Sequence, residues 1–164
     1  MATFLTKKTV IDVSNQLKLN NRKVVLTHGS FDLFHVGHSE FLKQSKVLGE
    51  YLIVGIDSDR RVQKYKNTNR PIIPFEQRME ILLEVKSIDF VFELDTLDMT
   101  NEYFIKMYNK FNPSVLTCGR NFAFQKDLKE RQKMLKECNF YEITHKFDHL
   151  QSTTNIIKQI SRPL

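Results

Sequence analysis

Gly29-Ser30-Phe31-Asp32-Leu33-Phe34-His35-Val36-Gly37-His38 packs two histidines, two glycines, a hydroxyl and a carboxylate into ten residues. It follows Lys23-Val24-Val25-Leu26-Thr27, a β-branched run that reads as a buried strand. It precedes Ser39 to Leu48, where Phe41, Leu42, Ser45 and Leu48 recur at helical spacing. The motif therefore lies at a strand-to-helix turn, and in an open α/β sheet such turns stand at the carboxyl edge where ligands bind. Helix N-terminal amides at that edge favour anions. Gly29 and Gly37 allow close backbone approach to a phosphate. Ser30 and the turn amides suit a phosphate oxygen, and Phe31 belongs to the same nucleotide-facing set. His35 and His38 flank Gly37 and can donate hydrogen bonds to charge building on a phosphate in transfer. Asp32 has several readings: closing a turn through its side chain, orienting a histidine, or touching the water shell of a metal.

Elements alternate outward from this turn. Val10 to Leu19 reads as a first helix, with Val10, Val13 and Leu17 on one stripe. The strands are Lys23–Thr27, Tyr51–Ile56, Asp89–Glu93, Ser114–Thr117 and Phe140–Thr144. Asp57-Ser58-Asp59 offers capping oxygens for a short helix. Pro74 to Lys86 is helical, with Pro74 in its first turn. Asn101 to Phe111 is a helix stopped before Pro113. Leu128 to Cys138 reads as helix, and Ser152 caps a last one. The pattern predicts an α/β, three-layer Rossmann-like fold, with a five-stranded parallel sheet flanked by helices. Residues 1–164 form a single domain without repeats or linker.

Composition fits a compact enzyme. A chain of 164 residues buries about two-thirds of its unfolded surface. Apolar content of 41% with 27% charged is ordinary globular usage. No segment is apolar for long enough to cross a bilayer, and the first residues lack the apolar core of a secretory signal, so a cytoplasmic location is expected with no membrane partner. Cys118 and Cys138 make neither a disulfide framework nor a zinc site and are expected reduced. The net charge of +6 suits nucleic acid or a pocket for phosphorylated small molecules. The charges are dispersed and no RNA-binding aromatic motif occurs, which favours the phosphate pocket over nucleic acid.

The first motif resembles the HxGH signature of the nucleotidyltransferase superfamily, which includes cytidylyltransferases and small adenylyltransferases. Two further blocks, Arg70-Pro71-Ile72-Ile73-Pro74-Phe75-Glu76-Gln77-Arg78-Met79 and Ser152-Thr153-Thr154-Asn155-Ile156-Ile157-Lys158-Gln159-Ile160, resemble the heptose 1-phosphate adenylyltransferases in order and spacing. This resemblance spans nearly the whole chain. It implies transfer of a nucleoside monophosphate from a triphosphate, favouring ATP, to a sugar phosphate such as heptose 1-phosphate. Pyrophosphate would leave, Mg²⁺ would accompany the nucleotide, and the protein would form a homodimer. A glycerol-3-phosphate cytidylyltransferase-like enzyme using CTP, and a nucleotide- or RNA-binding module without catalysis, are the alternatives.

The basic residues then acquire candidate roles. Lys64 and Lys66 follow the second strand at the motif's edge, and the resemblance aligns Lys66, and less firmly Lys64, with residues that grip substrate or triphosphate. Arg70 stands in the same loop. Arg60 and Arg61 read equally as a solvated face. Arg78 is either a surface ion pair or the block's functional arginine. His35, His38 and Lys66 form the expected catalytic set. Ser152, Thr153 and Thr154 would hold phosphates at a helix start, Ser152 serving also as an ordinary N-cap. Gly119-Arg120-Asn121-Phe122 departs from the heptose enzymes, which typically carry a second glycine and an aspartate there. The resemblance sets Gly119 and Arg120 beside the nucleotide, so the departure bears on base or sugar choice. The cytidylyltransferases' Arg-Thr-Glu-Gly-Ile stretch is absent ahead of Ser152, which argues against cytidine. His145 and His149 read as loop residues.

Overall fold

A computed structural model describes residues 1–119, 130–133, 135, 138–144 and 153–161. Its centre is a set of short, Val- and Ile-rich runs buried on both faces, the signature of parallel strands covered by helices. In chain order the elements are β1 (Thr3–Phe4), α1 (Lys7–Leu19), β2 (Val24–Gly29), α2 (Val36–Val47), β3 (Tyr51–Asp57), α3 (Asp59–Tyr65), α4 (Phe75–Leu83), β4 (Phe90–Leu94), α5 (Asn101–Phe111), β5 (Val115–Gly119), β6 (Asn139–Ile143) and a last helix, α6 (Thr153–Ile160). Residues 130–133 are helical, whereas Leu135 and Cys138 are not. The rest of the helix expected over Leu128–Cys138 lies outside the described residues, as do Arg120, His145, His149 and Ser152.

The sheet has six strands in the order β1-β4-β3-β2-β5-β6, all pairs parallel. This corrects the five-stranded expectation. The added strand is Thr3–Phe4, which pairs with Phe90 and Val91 of β4. Two residues carry no periodicity of their own, so the partner strand creates this element rather than local propensity.

Side-chain alternation along β2 divides the core. Val24 and Leu26 pack beneath α1 and α5, with Phe92, Phe104, Tyr108 and Phe111. Val25 packs on the opposite face with Phe31, Leu42 and Leu82. Order reverses at β2: β3 and β4 lie to one side, β5 and β6 to the other. The β2–β5 ladder covers only Val25–Leu26 against Val115–Leu116. Beyond it the Thr27 hydroxyl donates to the Thr117 carbonyl at 2.9 Å. The strands part at their carboxyl ends, which is where open α/β sheets place a ligand crevice.

Local chemistry sets the helix limits. Thr6, Ser58 and Thr100 each accept a backbone N–H as N-cap. Thr6 starts α1 a turn earlier than Val10. Asn112 ends α5 in the left-handed region at φ 47°, a conformation asparagine tolerates, and Pro113 follows. Cys118 and Cys138 are free thiols.

The α2–β3 connection has no spare volume. A Cβ on Gly49 would stand 2.7 Å from the Lys23 carbonyl oxygen and 2.7 Å from Val25 Cγ2. The oxygen cannot yield, because it accepts from Glu50 and Tyr51. Gly49→Ala is therefore expected to lower unfolding free energy by about 1–3 kcal/mol, read from urea denaturation. Nucleotide binding at the far edge of the sheet should persist below the melting temperature. An unchanged midpoint would show that this turn has slack.

Candidate active site at the carboxyl edge

The Ser30–Phe34 loop is held in an uncommon shape. Phe31 and Leu33 both have positive φ, 49° and 47°, which costs energy for residues with a Cβ. Burial of Phe31 and Asp32 over-determines the shape. The Asp32 side chain is fully enclosed and accepts from the Ile72 and Ile73 amides at 3.0–3.1 Å and from Arg70 Nε at 2.8 Å. Arg70 Nη2 lies 2.7 Å from the same carboxylate. Burial pulls the Asp32 carboxyl upward, but the Ile73 and Ile72 amides and the Arg70 guanidinium outweigh it and hold the group below its ordinary value. The Asp32 carbonyl in turn accepts from Thr153 Oγ1 at 2.8 Å. One residue thus joins the first motif, the segment ahead of α4 and the start of α6. Its carboxylate is occupied by protein donors rather than by a histidine.

The two histidines cap α2 reciprocally. His35 is the N-cap, and its Nδ1 accepts from the Gly37 amide at 3.1 Å. The His35 amide donates to His38 Nδ1 at 3.4 Å. The imidazoles stack with centroids 4.0 Å apart, and Phe31 and Phe34 flank His38. Because each Nδ1 accepts a backbone proton, the bonding pattern assigns the proton of each neutral ring to Nε2. The site thus carries two like-oriented tautomers, both able to donate through Nε2, at the positive end of a twelve-residue helix.

The basic residues separate into distinct roles. Lys66, the C-cap of α3, places Nζ 3.2 Å from Ser30 Oγ. Partial burial, then the neighbouring Arg70 charge, hold its ammonium below the ordinary lysine value. Lys64 points elsewhere, donating to the Leu97 carbonyl at 2.7 Å. Arg78 is 1% exposed and is not a surface ion pair. Nε donates to the Ile73 carbonyl, Nη1 to the Ser30 carbonyl, and Nη2 to the Asp57 carbonyl and Asp59 Oδ1. It is a clamp joining β2, β3 and the segment before α4. Arg60 does lie on the solvated face, paired with Asp95. Arg61 does not: it is buried against Asp57 at 2.8 Å.

Gly119 ends β5 at the same edge as Gly29. A Cβ on Gly29 would meet only the Phe31 ring at 3.5 Å, and one on Gly119 would meet nothing within 4 Å, so protein packing does not demand glycine at either position. Thr153 spends its hydroxyl on Asp32, while Thr154 is exposed on the first turn of α6. Among the described residues no group of three or more His, Cys, Asp or Glu could hold a metal ion, and no helix is long and apolar enough to cross a membrane.

Sequence reasoning missed His28. It sits one residue before Gly29 on the α5 face, with Nε2 2.9 Å from the Tyr108 hydroxyl and its ring stacked on Phe104 at 5.2 Å. Alternation along β2 would have placed it on that face, had the strand been carried to Gly29.

The comparisons agree with this architecture. Residues 26–160 match the family model described as Cytidylyltransferase-like. The Bifunctional protein HldE of Helicobacter pylori is 32% identical over 146 residues, 88% of this chain and 29% of that protein. The protein of the same name from Desulfatibacillum aliphaticivorans is 37% identical over 106 residues, 65% of this chain and 21% of that protein. The chain thus spans under a third of these curated relatives. The crystal structure of the lipopolysaccharide core biosynthesis protein from Thermoplasma volcanium superposes with a TM-score of 0.62 at 26% identity, covering 75% of this chain and 97% of that one. Pantoate-beta-alanine ligase from Francisella tularensis, at 13% identity, shares the fold alone: TM-score 0.67, 96% of this chain and 76% of that one. With a motif that caps its helix by two histidines, a sheet whose strand order reverses beside it, and a family match over most of its length, the chain belongs to the cytidylyltransferase-like family of nucleotidyltransferases.

Proposed function

We propose that the chain transfers the adenylyl group of ATP to a sugar 1-phosphate, heptose 1-phosphate being the favoured acceptor. An acceptor phosphate oxygen attacks the α-phosphorus, the bond to the bridging oxygen of the β-phosphate breaks, and pyrophosphate leaves with the electron pair. The nucleophile is already ionised near neutral pH, so no side chain must remove a proton. Catalysis then consists of alignment and charge stabilisation.

The observation that carries this reading is the reciprocal capping of α2, which sets two Nε2–H donors side by side at an anion-favouring helix start. His35 and His38 donate to the α- and β-phosphate oxygens as charge builds. Lys66, beside Ser30, brings the acceptor phosphate into line. Thr154 and the first turn of α6 receive the outer phosphates. Arg78, Asp32 and Thr153 are positioning residues, because their polar atoms are bound to protein, whereas Arg70 spends its Nε on Asp32 and keeps its place among the residues facing the acceptor phosphate. Mg²⁺ enters as the counter-ion of the triphosphate substrate, held by phosphate and water, since Asp32 has no oxygen to spare. Preference for ATP and a heptose phosphate rests on the three sequence blocks. The likeness to a lipopolysaccharide core biosynthesis protein supports a sugar-nucleotide product.

The direct test is pyrophosphate release from ATP and CTP against a panel of sugar phosphates and glycerol 3-phosphate, with mass spectrometry of the product. ATP with a sugar 1-phosphate is expected to dominate. CTP with glycerol 3-phosphate would overturn the choice, and triphosphate binding with no release from any pair would make the chain a binding module.

His38→Ala is expected to slow kcat on the order of a hundredfold or more, as for loss of a charge-stabilising donor, while unfolding stays cooperative and loses only about 0.5–2 kcal/mol with the cap. Full activity in that folded variant contradicts the assignment. Asp32→Asn leaves Arg70 buried without its counter-charge, so about 3 kcal/mol of stability should be lost near neutral pH, read by chemical denaturation. The folded carboxyl titrates below its ordinary value of 3.8. Its contribution is therefore complete above that pH and lost as pH falls through the depressed value. The gap between wild type and variant should close on acidification, and a gap that widens would refute the account.

A further inference from the structure

Asp57 and Arg61 form a buried ion pair that the proposed transfer does not use. Asp57, Arg61 and Tyr65 recur every four residues, so Arg61 and Tyr65 share one face of α3, and both reach Asp57 at the end of β3. Burial pushes the Asp57 carboxyl up against the pull of Arg61. The carboxylate therefore needs a donor on each oxygen. Arg61 Nε donates to Oδ1 at 2.8 Å, and the Tyr65 hydroxyl donates to Oδ2 at 2.8 Å. Arg61 Nη1 also donates to the Thr96 carbonyl at 3.1 Å, which pins α3 to the segment after β4.

This arrangement decides where two hydroxyl protons point. A carboxylate only accepts, so the Tyr65 proton is committed to Asp57. Burial, then the Asp57 charge, push the Tyr65 hydroxyl up, and it keeps that proton. The phenol oxygen is left as an acceptor, and Ser30 donates to it. The Ser30 oxygen in turn accepts from Lys66 Nζ at 3.2 Å, because an ammonium only donates. The same ammonium lies 5.8 Å from the centre of the Tyr65 ring. The bonds thus run in one direction, from Lys66 through Ser30 and Tyr65 to Asp57. They join the end of α3, the first motif and the end of β3.

We propose that Tyr65 is a positioning residue that fixes the Lys66 ammonium for the acceptor phosphate, acting through Ser30 and anchored on the buried Asp57–Arg61 pair. This deepens the transferase reading and rests on it. A lysine stem is flexible, and ordering it costs entropy each time a phosphate binds. The chain of bonds orders Lys66 beforehand and leaves its remaining protons for the phosphate. Ser30 then serves the site as the acceptor that steadies Lys66, its own proton being spent on Tyr65 rather than on a phosphate.

The test is a double-mutant cycle on Ser30→Ala and Tyr65→Phe, both of which keep Lys66. Pyrophosphate release is measured with ATP and the sugar phosphate that wild type turns over fastest. Each single variant is expected to raise acceptor KM about fivefold, as for one lost hydrogen bond. The loss should fall on acceptor KM more than on kcat, with ATP KM within about twofold of wild type. The double variant should stay within about twofold of either single, because both break the same chain. KM rises that multiply in the double variant overturn the proposal, since independent effects on packing combine that way. So does an unchanged acceptor KM in Tyr65→Phe, or an ATP KM that rises as much as the acceptor KM. Unfolding curves establish that each variant is folded. If Tyr65→Phe does not fold, Ser30→Ala decides: a rise confined to acceptor KM supports the chain, and no rise, or an equal rise in ATP KM, overturns it. Wild type that binds ATP but turns over no sugar phosphate overturns the transferase reading and this proposal with it.

Discussion

Asp32 is the buried anion on which the site is built. Two amides and one guanidinium converge on its carboxylate, and its carbonyl receives Thr153. These bonds reach two distant stretches of chain, residues 70–73 and Thr153, 38 to 121 residues away in sequence. A buried charge is tolerated only when its hydrogen-bonding capacity is filled, so the loop, the segment before α4 and the start of α6 must arrive together. Phe31 and Leu33 hold their left-handed backbone because this convergence leaves the loop no relaxed alternative.

Arg78 does for the strands what Asp32 does for the loops. Its guanidinium gathers carbonyls from Ser30, Asp57 and Ile73 together with the Asp59 carboxylate. Carbonyls at the carboxyl ends of parallel strands point away from the sheet and would repel a phosphate. A buried cation that occupies several of them turns the edge from acceptor-rich to anion-tolerant, which is what the phosphate-binding roles proposed for the neighbouring histidines and Lys66 require. The result is a site whose outer groups can donate because its inner groups have already absorbed the competing acceptors.

Much of this was legible in the sequence where the signal is local. The β-branched runs gave five strands, the Ser58 cap gave α3, and Pro113 gave the end of α5. The histidine pair was legible because its spacing produces its geometry: positions 35 and 38 are N-cap and N3 of one helix, so capping by both rings follows from the sequence interval. Non-local features were not legible. The strand at Thr3–Phe4 exists through β4. Arg78 reads as either a surface ion pair or a functional arginine, because its partner Asp59 lies 19 residues earlier on another helix. Arg61 stays open in the sequence, because the packing that buries it beside Asp57 comes from Phe104 on α5. His28 escaped because β2 runs two residues past the end of its apolar signal.

The central claim is that both imidazoles of the motif are fixed with Nδ1 accepting from backbone, leaving Nε2 as the donor to a triphosphate chain. Long-range proton–nitrogen correlation spectra of the ring-labelled protein read this directly. The account predicts that neutral His35 and His38 both show the Nε2–H tautomer, and that adding ATP moves both Nε2 resonances. An Nδ1–H tautomer at either ring, or Nε2 signals unmoved at saturating nucleotide, would contradict it.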